Sequence, residues 1–349
     1  MKIALIVMLV LAITAVAFVL NLLRDAGEFK TITAVGNEHC SAVTGLTGTE
    51  DITIDYAAGT AFISSDDRRA NVAGKPTPGA IFLYDLSADL NQVTNLTAGF
   101  DQEFHPHGLS LYVDSATVRW LHVVNHRRNG HFIEVFRFEE NELIHQQSIA
   151  GEMMHSPNDI AAVGARQFYV TNDHGNTSAL GKTVEEYLQL AKSNVLYYDG
   201  STFQEVADGI AYANGLQVSA DGTRLYVAAT VGRQVKVYER DPQNAKLQFV
   251  EDIELDTGVD NIEIDEQGVL WIGAHPQMLT FVEYAEDASQ YSPSEVLRII
   301  PQMEGAYRVE RVFLSLGDDI SGSSVAAHFG NSLLIGSVFD PHFLICQMN

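Results

Sequence analysis

The sequence predicts an all-β protein, a six-bladed β-propeller carried behind an N-terminal hydrophobic anchor helix. Three observations predict it: a polar-polar-aliphatic unit that recurs six times, period-2 alternation through most of the chain, and one unbroken apolar run at the N terminus. That run, Ile3 to Leu20, reads IALIVMLVLAITAVAFVL, 18 residues without a charge between Lys2 and Arg24. It crosses a bilayer at the short end of the usual window of roughly 17 to 25 residues. It exceeds the h-region of a cleaved signal, about 7 to 15 residues, and no small-x-small cleavage site follows directly, which favours an uncleaved signal anchor over a removable leader. Residues 1–28 are therefore assigned to this segment and 29–349 to one propeller domain. Either reading places the body outside the cytosol, membrane-anchored or, if the leader is cleaved, secreted.

The six repeats open at Glu50-Asp51-Ile52, His107-Gly108-Leu109, Asn158-Asp159-Ile160, Asn214-Gly215-Leu216, Asp260-Asn261-Ile262 and Ser323-Ser324-Val325. Each is followed by a turn such as SADGT or DEQG, then by a second alternating segment such as QFYVTND, RLYVAAT or LWIGAH. Successive starts lie 46 to 63 residues apart, room for four strands, and AIFLYDL, HFIEVFRF, NVLYYDG and KVYERD supply further strands between them. β-Branched and aromatic residues at alternate positions argue strands over helices. Six such units around an axis make a propeller whose opening pairs converge on the central channel. One helix is expected near Thr183 to Lys192, where Val184, Tyr187, Leu188 and Ala191 share a face, either capping the propeller or forming a surface excursion.

The opening pairs are nearly all oxygen donors. With 45 Asp+Glu against 21 Lys+Arg, a net charge of -24 and a pI near 4.7, the chain lacks the cationic surface that nucleic acid or an anionic membrane requires. It invites a cation instead. Carboxylates and amide carbonyls without cysteine suit Ca²⁺ over Zn²⁺ or Cu²⁺. Adjacent strand residues face opposite ways, so the two members of a pair serve different places and two ions are expected. One would take Glu50, Asn158, Asn214, Asp260 and Asn261; the other Asp51, Asp159 and a nearby backbone carbonyl. A hydrogen-bonded polar plug is the competing reading of any single pair. His107, at the ligand level, and His126, ending WLHVVNH, form a candidate general base and its relay; His105, His122, His131 and His155 are ambiguous, and His275 is a weaker pocket candidate. The only cysteines, Cys40 and Cys346, bracket the body; in an exported chain they pair, tying the ends of a closed ring, or remain separate buried thiols.

These residues resemble the serum paraoxonase/arylesterase family of calcium-dependent lactonases from about Cys40 to Cys346. The similarity rests on TGTEDITI, FHPHGLS, VVNH, PNDIAAVG with FYVTNDH, YANGLQVSADG, VDNIEID, and SGSSVAA with LLIGSVF, in the family's order. The resemblance implies a catalytic calcium held by Glu50, Asn158, Asn214, Asp260 and Asn261, and a structural calcium held by Asp51, Asp159 and the carbonyl of Leu109. It also implies a His107/His126 dyad, a Cys40–Cys346 disulfide and a retained leader. Two departures bear on substrate: Asp66 to Pro78 reads DDRRANVAGKPTP without the aromatic residue of the family's active-site loop, and Tyr212 stands where Phe is usual. The segment near Thr183 is also dissimilar, so lipoprotein binding is not implied. Asn95-Leu96-Thr97 is a glycosylation sequon.

The expected chemistry is hydrolysis of lactones and aryl esters: His107, tuned by His126, deprotonates a water that attacks a cation-polarised carbonyl. No GxSxG elbow is present, against a serine hydrolase. Two alternatives stand beside it, a sugar-lactone hydrolase of the gluconolactonase type, which would need a more polar pocket, and a non-catalytic calcium-stabilised binding propeller.

Overall fold

A computed structural model describes residues 2–87, 92–115, 118–302 and 305–348. Strand β1 (Cys40–Thr44) is followed by five blades built in chain order: β2 (Ile52–Asp55), β3 (Thr60–Ser65), β4 (Ala80–Asp85), β5 (Val93–Asn95); β6 (Pro106–Ser115), β7 (Val118–Arg127), β8 (Gly130–Glu139), β9 (Glu142–Ile149); β10 (Pro157–Gly164), β11 (Gln167–Asn172), β12 (Ser193–Tyr198), β13 (Phe203–Ile210); β14 (Ala213–Val218), β15 (Arg224–Ala229), β16 (Gln234–Arg240), β17 (Leu247–Glu254); and β18 (Gly258–Ile264), β19 (Leu270–His275), β20 (Ser294–Pro301), β21 (Tyr307–Ser315). The sixth blade holds β22 (Ser323–Phe329), β23 (Ser332–Ser337) and β24 (His342–Gln347), with β1 on its outer edge. The N-terminal strand thus closes the ring, and Cys40 and Cys346, opposite each other in the β1/β24 register, are disulfide-bonded across a sequence separation of 306.

Alternation explains why the blades stack. On β11, Phe168 and Val170 pack toward the second blade while Tyr169 between them packs toward the fourth. Six apolar layers result, one between each pair of neighbouring blades. Burial of each large side chain in them contributes about 1.5 to 3 kcal/mol.

The channel-lining strands deviate from regular pairing where the polar pairs sit. Register shifts fall between Pro106/Leu109, Pro157/Ile160, Ala213/Leu216, Val259/Ile262 and Ser323/Val325. A bulge re-aims side chains, so these five polar pairs turn into the channel instead of alternating between the apolar layers, whereas β2 pairs regularly and Glu50 and Asp51 lie just before it. Glycine is required at two of these bulges. A Cβ on Gly108 would lie 2.3 Å from Asp159 Oδ1, and one on Gly215 would lie 2.5 Å from Asn261 Cα.

Helix α1 (Lys2–Asp25) is exposed from Lys2 to Asn21 and is, by length and a mean hydropathy of 3.2 over its apolar window, able to cross a membrane. Its C-terminal end is welded to the propeller: Arg233 pairs with Asp25 (3.2 Å), and Glu28 caps α4 (Met278–Glu286) by accepting from Leu279 N (2.8 Å). A short α2 (Arg68–Val72) stands within the Asp66–Pro78 segment, between β3 and β4 of the first blade. The expected helix is α3 (Ala179–Tyr187), earlier than the periodicity placed it, and its expected buried face is exposed at Val184, Tyr187 and Leu188. Its buried residue is Glu185, which accepts from the backbone N–H of Gly175 (3.0 Å) and Asn176 (2.8 Å), so hydrogen bonding anchors this helix where apolar packing was expected.

Candidate active site

The bulged starts of β10, β14 and β18, with the segment before β2, bring Glu50, Asn158, Asn214, Asp260 and Asn261 together on the axis, each at most 5% exposed. Their polar atoms are half-satisfied in a consistent way. Asn261 Nδ2 donates to Glu50 Oε1 (2.8 Å), Asn214 Nδ2 donates to Thr230 Oγ1 (3.1 Å), and Asp260 Oδ2 lies 2.8 Å from His275 Nε2. On every one of the five, one oxygen is buried without a hydrogen-bond partner: Glu50 Oε2, Asn158 Oδ1, Asn214 Oδ1, Asp260 Oδ1 and Asn261 Oδ1. An unsatisfied buried acceptor costs roughly 1 to 3 kcal/mol. Five together fit a hard cation, with two carboxylates balancing a divalent charge. Among the described residues no three of His, Cys, Asp and Glu group to hold a metal by themselves, so a cation here depends on the amides.

Asp51 and Asp159 face a different place, below this ring. Asp51 accepts from Ile52 N (2.9 Å) and Leu109 N (2.7 Å), and Asp159 accepts from Ile160 N (2.7 Å) and Leu216 N (2.8 Å), each clamping the next blade. Leu109 is therefore tied to Asp51 through its amide. Neither acid has a cationic side-chain partner among the described residues. Burial, and for Asp51 the neighbouring Asp159, push both carboxyls well above their ordinary range. Buried Glu263 adds a third acid nearby, raised by desolvation to about 8. For Glu50, burial acts upward, but His107 and Arg68 outweigh it and hold the carboxyl below the usual value.

His107 lies with Nε2 3.4 Å from Glu50 Oε1 and Nδ1 2.8 Å from His126 Nε2. Burial and the adjacent His107 and His131 keep His126 well below the ordinary imidazole pKa, so it is neutral. The ambiguous histidines separate cleanly. His122 is fully buried in the apolar interior, its pKa lowered to about 4 by desolvation. His155 engages backbone carbonyls of Met153 and His174, and His105 pairs with Asp66 at 2.9 Å. His131 joins the dyad, Nδ1 to Nδ1 of His126 at 2.8 Å.

Above the oxygen ring a cavity of about 320 Å³ opens to the surface. Its floor is Glu50, His107, Asn158, Asn214, Asp260 and His275, and its walls are largely apolar, with Leu22, Tyr212, Met278, Phe281, Val282 and Phe339. The His275 ring stacks on Phe281 at 3.9 Å. Tyr212 holds the left-handed backbone (φ 63°) that places it in the wall beside Asn214, strain of about 1 to 3 kcal/mol of the kind found at ligand sites. Where the resemblance expects an aromatic loop residue, Arg69 lies over the Tyr284 and Phe339 rings at 4.3 and 4.4 Å. Arg68 was not foreseen. It lines the cavity 3.9 Å from Glu50 Oε2, its guanidinium donating to carbonyls of Gly48 (3.3 Å) and Pro106 (3.3 Å). No short motif announces such a residue, because its acceptors come from distant segments.

The cavity floor sets His107, hydrogen-bonded to the neutral His126, beside the ring of buried oxygens. An imidazole and a ring of oxygen donors under apolar walls are equipment that suits a β-propeller hydrolase. Residues 31–348 match the Arylesterase family model, and the chain belongs to that family as a paraoxonase-like hydrolase. It is 35% identical over 347 residues to serum paraoxonase/arylesterase 1 of Mus musculus, covering 94% of this chain and 97% of the relative. It is 36% identical over 323 residues to serum paraoxonase/lactonase 3 of Homo sapiens, covering 89% of each. Among solved structures, a luciferin-regenerating enzyme superposes with a TM-score of 0.56 at 13% identity, over 91% of this chain and 95% of that one, a likeness of fold.

Proposed function

We propose that this chain is a calcium-dependent hydrolase of lactones and aryl esters. The observation that carries the reading is the ring of five orphaned buried oxygens beside the His107–His126 pair at the foot of an apolar cavity. Glu50, Asn158, Asn214, Asp260 and Asn261 hold the catalytic calcium; Asp51, Asp159 and the carbonyl of Leu109 hold a structural one. When bound, the catalytic ion supplies positive charge where the oxyanion of the attacked carbonyl develops. The chain's own residues do the rest. The apolar walls receive the acyl or ring substituent, and His107 Nε2 accepts a proton from water as the water oxygen attacks the carbonyl carbon. His126 Nε2 receives the proton of His107 Nδ1 and so keeps His107 Nε2 free as the base.

A sugar lactone would find few hydrogen-bonding groups on these walls, which favours substrates with an apolar substituent. Helix α1 anchors the protein in a membrane with the propeller outside the cytosol, consistent with the disulfide. The test is His107→Gln in the full chain. It keeps its calcium and melting temperature and loses roughly 10²- to 10⁴-fold in kcat. Calcium retention with unchanged hydrolysis refutes His107 as the base.

A further inference from the structure

Hydrolysis of an ester or lactone at neutral pH forms one C–O bond from water, breaks the C–O bond to the alcohol, and leaves a carboxylate. The alkoxide takes one of the two protons of water; the other must leave the site in every turnover. The substrate cavity is a poor exit, being apolar above its floor and filled by the substrate.

A second cavity, of about 680 Å³, lies on the other side of His107. It is lined by His107, His126, His131, Asp173, Lys182 and Glu103, among others, and carries more charged and titratable side chains. Helix α3 divides the two, with Glu186 and Tyr187 on the substrate side and Lys182 on the polar side, while His107 and Arg68 face both. Between them runs an unbroken line of imidazoles. His107 Nδ1 lies 2.8 Å from His126 Nε2, and His126 Nδ1 lies 2.8 Å from His131 Nδ1. His131 is only half-buried, and Lys182, Asp173 and His155 are the charged and titratable groups around it.

We propose that His131 is the outer member of a three-histidine proton path that discharges into this second cavity, separating the proton's exit from the substrate's entrance. The proposal rests on the reading of His107 as base. Each ring in the resting chain carries its proton on the outward nitrogen: His107 Nδ1, His126 Nδ1 and His131 Nε2. A proton arriving on His107 Nε2 moves the Nδ1 proton of His107 to His126 Nε2, that of His126 to His131 Nδ1, and releases the Nε2 proton of His131 to water. No charge remains in the buried part of the chain. His131 touches no reacting atom; it is a positioning and relay residue.

The test uses full-length, calcium-loaded protein carrying His131→Asn, whose carboxamide keeps a hydrogen bond to His126 but cannot pass a proton through. In a bulky buffer the variant loses about tenfold in kcat with KM unchanged, part of the range a general base contributes. Added imidazole, small enough to enter the second cavity, restores the rate, whereas wild type is indifferent to it. His131→Gln is the second variant should the first fail to fold. Wild-type kcat in the bulky buffer, or a loss that imidazole does not restore, overturns the relay. His107→Gln measured alongside tells the two failures apart: if it is inactive while His131→Asn is unimpaired, only the relay falls, and if it too is unimpaired, the base falls with it.

Discussion

Replacing Glu50 by Gln tests the oxygen ring at its most constrained member. Glu50 is 2% exposed; Oε1 accepts from Asn261 Nδ2 at 2.8 Å and Oε2 is the orphan. An amide cannot serve both sides. If its oxygen faces Asn261, an NH₂ points into the ring in place of a ligand; if the oxygen faces the ring, two NH₂ groups oppose each other. The second arrangement leaves buried donors unsatisfied at about 1 to 3 kcal/mol. The charge matters more, since the substitution takes one of only two carboxylates from the set. A unit pair about 4 Å apart at an effective dielectric near 20 is worth about 4 kcal/mol, more for a divalent ion before the desolvation of the carboxylate offsets it. We expect a net loss of at least about 4 kcal/mol, a thousandfold or more in Kd. Calorimetric titration of chelated protein with Ca²⁺, wild type against Glu50→Gln, reads this directly. A variant that binds within tenfold of wild type, with the same stoichiometry, refutes Glu50 as a ligand.

Three further outcomes are expected. Cys40→Ser with Cys346→Ser releases a closure spanning a separation of 306 residues, nominally about 5 kcal/mol of chain entropy and a fall of about 10 °C in Tm, with kcat at room temperature unchanged because neither cysteine lines the cavity; a Tm within a few degrees of wild type contradicts it. In chelated protein, Glu263 holds its proton in the folded state up to about pH 8, against an ordinary value of 4.5. A raised carboxyl stabilises below its unfolded pKa and loses that contribution as pH rises through the folded one. Buried His122 and His126 contribute the opposite slope only below 6.5, so between pH 6.5 and 8 the Tm of the chelated protein falls. Glu263→Gln makes that fall shallower without abolishing it, because raised Asp51, Asp159 and His174 contribute the same sign; an equal slope in variant and wild type contradicts the assignment. Finally, the full chain stays with membranes through an alkaline carbonate wash, and release into the supernatant contradicts α1 as an anchor.

Much of the site was legible because the propeller repeats one local device six times. A polar pair before an aliphatic residue marks each inner strand, so Glu50, Asn158, Asn214 and Asp260 could be aligned without knowing the ring's dimensions. Gly108 and Gly215 break the pattern for a steric reason, since the neighbouring pair occupies their Cβ positions. What periodicity misread was α3: its apolar stripe is real, but the buried Glu185 and its backbone donors decide which side faces inward. Helix α4 was missed because its N terminus is capped by Glu28, about 250 residues earlier in sequence, and no local cap signal precedes Met278. The partner of His126 was recoverable. His131 lies directly across the β7/β8 hairpin from it, a pairing that NHRRNGH permits once the tight turn is placed. Arg68 was not recoverable, because its place depends on carbonyls of Gly48, Val338 and Pro106 that only the closed ring brings together.

The most direct test of the whole account is hydrolysis of γ- and δ-lactones and phenyl acetate by the full chain in detergent, with calcium and after chelation. The account predicts turnover with calcium, favouring lactones with apolar substituents, loss on chelation, and recovery when calcium is restored. A folded, calcium-loaded protein that turns over none of them contradicts the account, leaving the ion as a structural staple of a binding propeller.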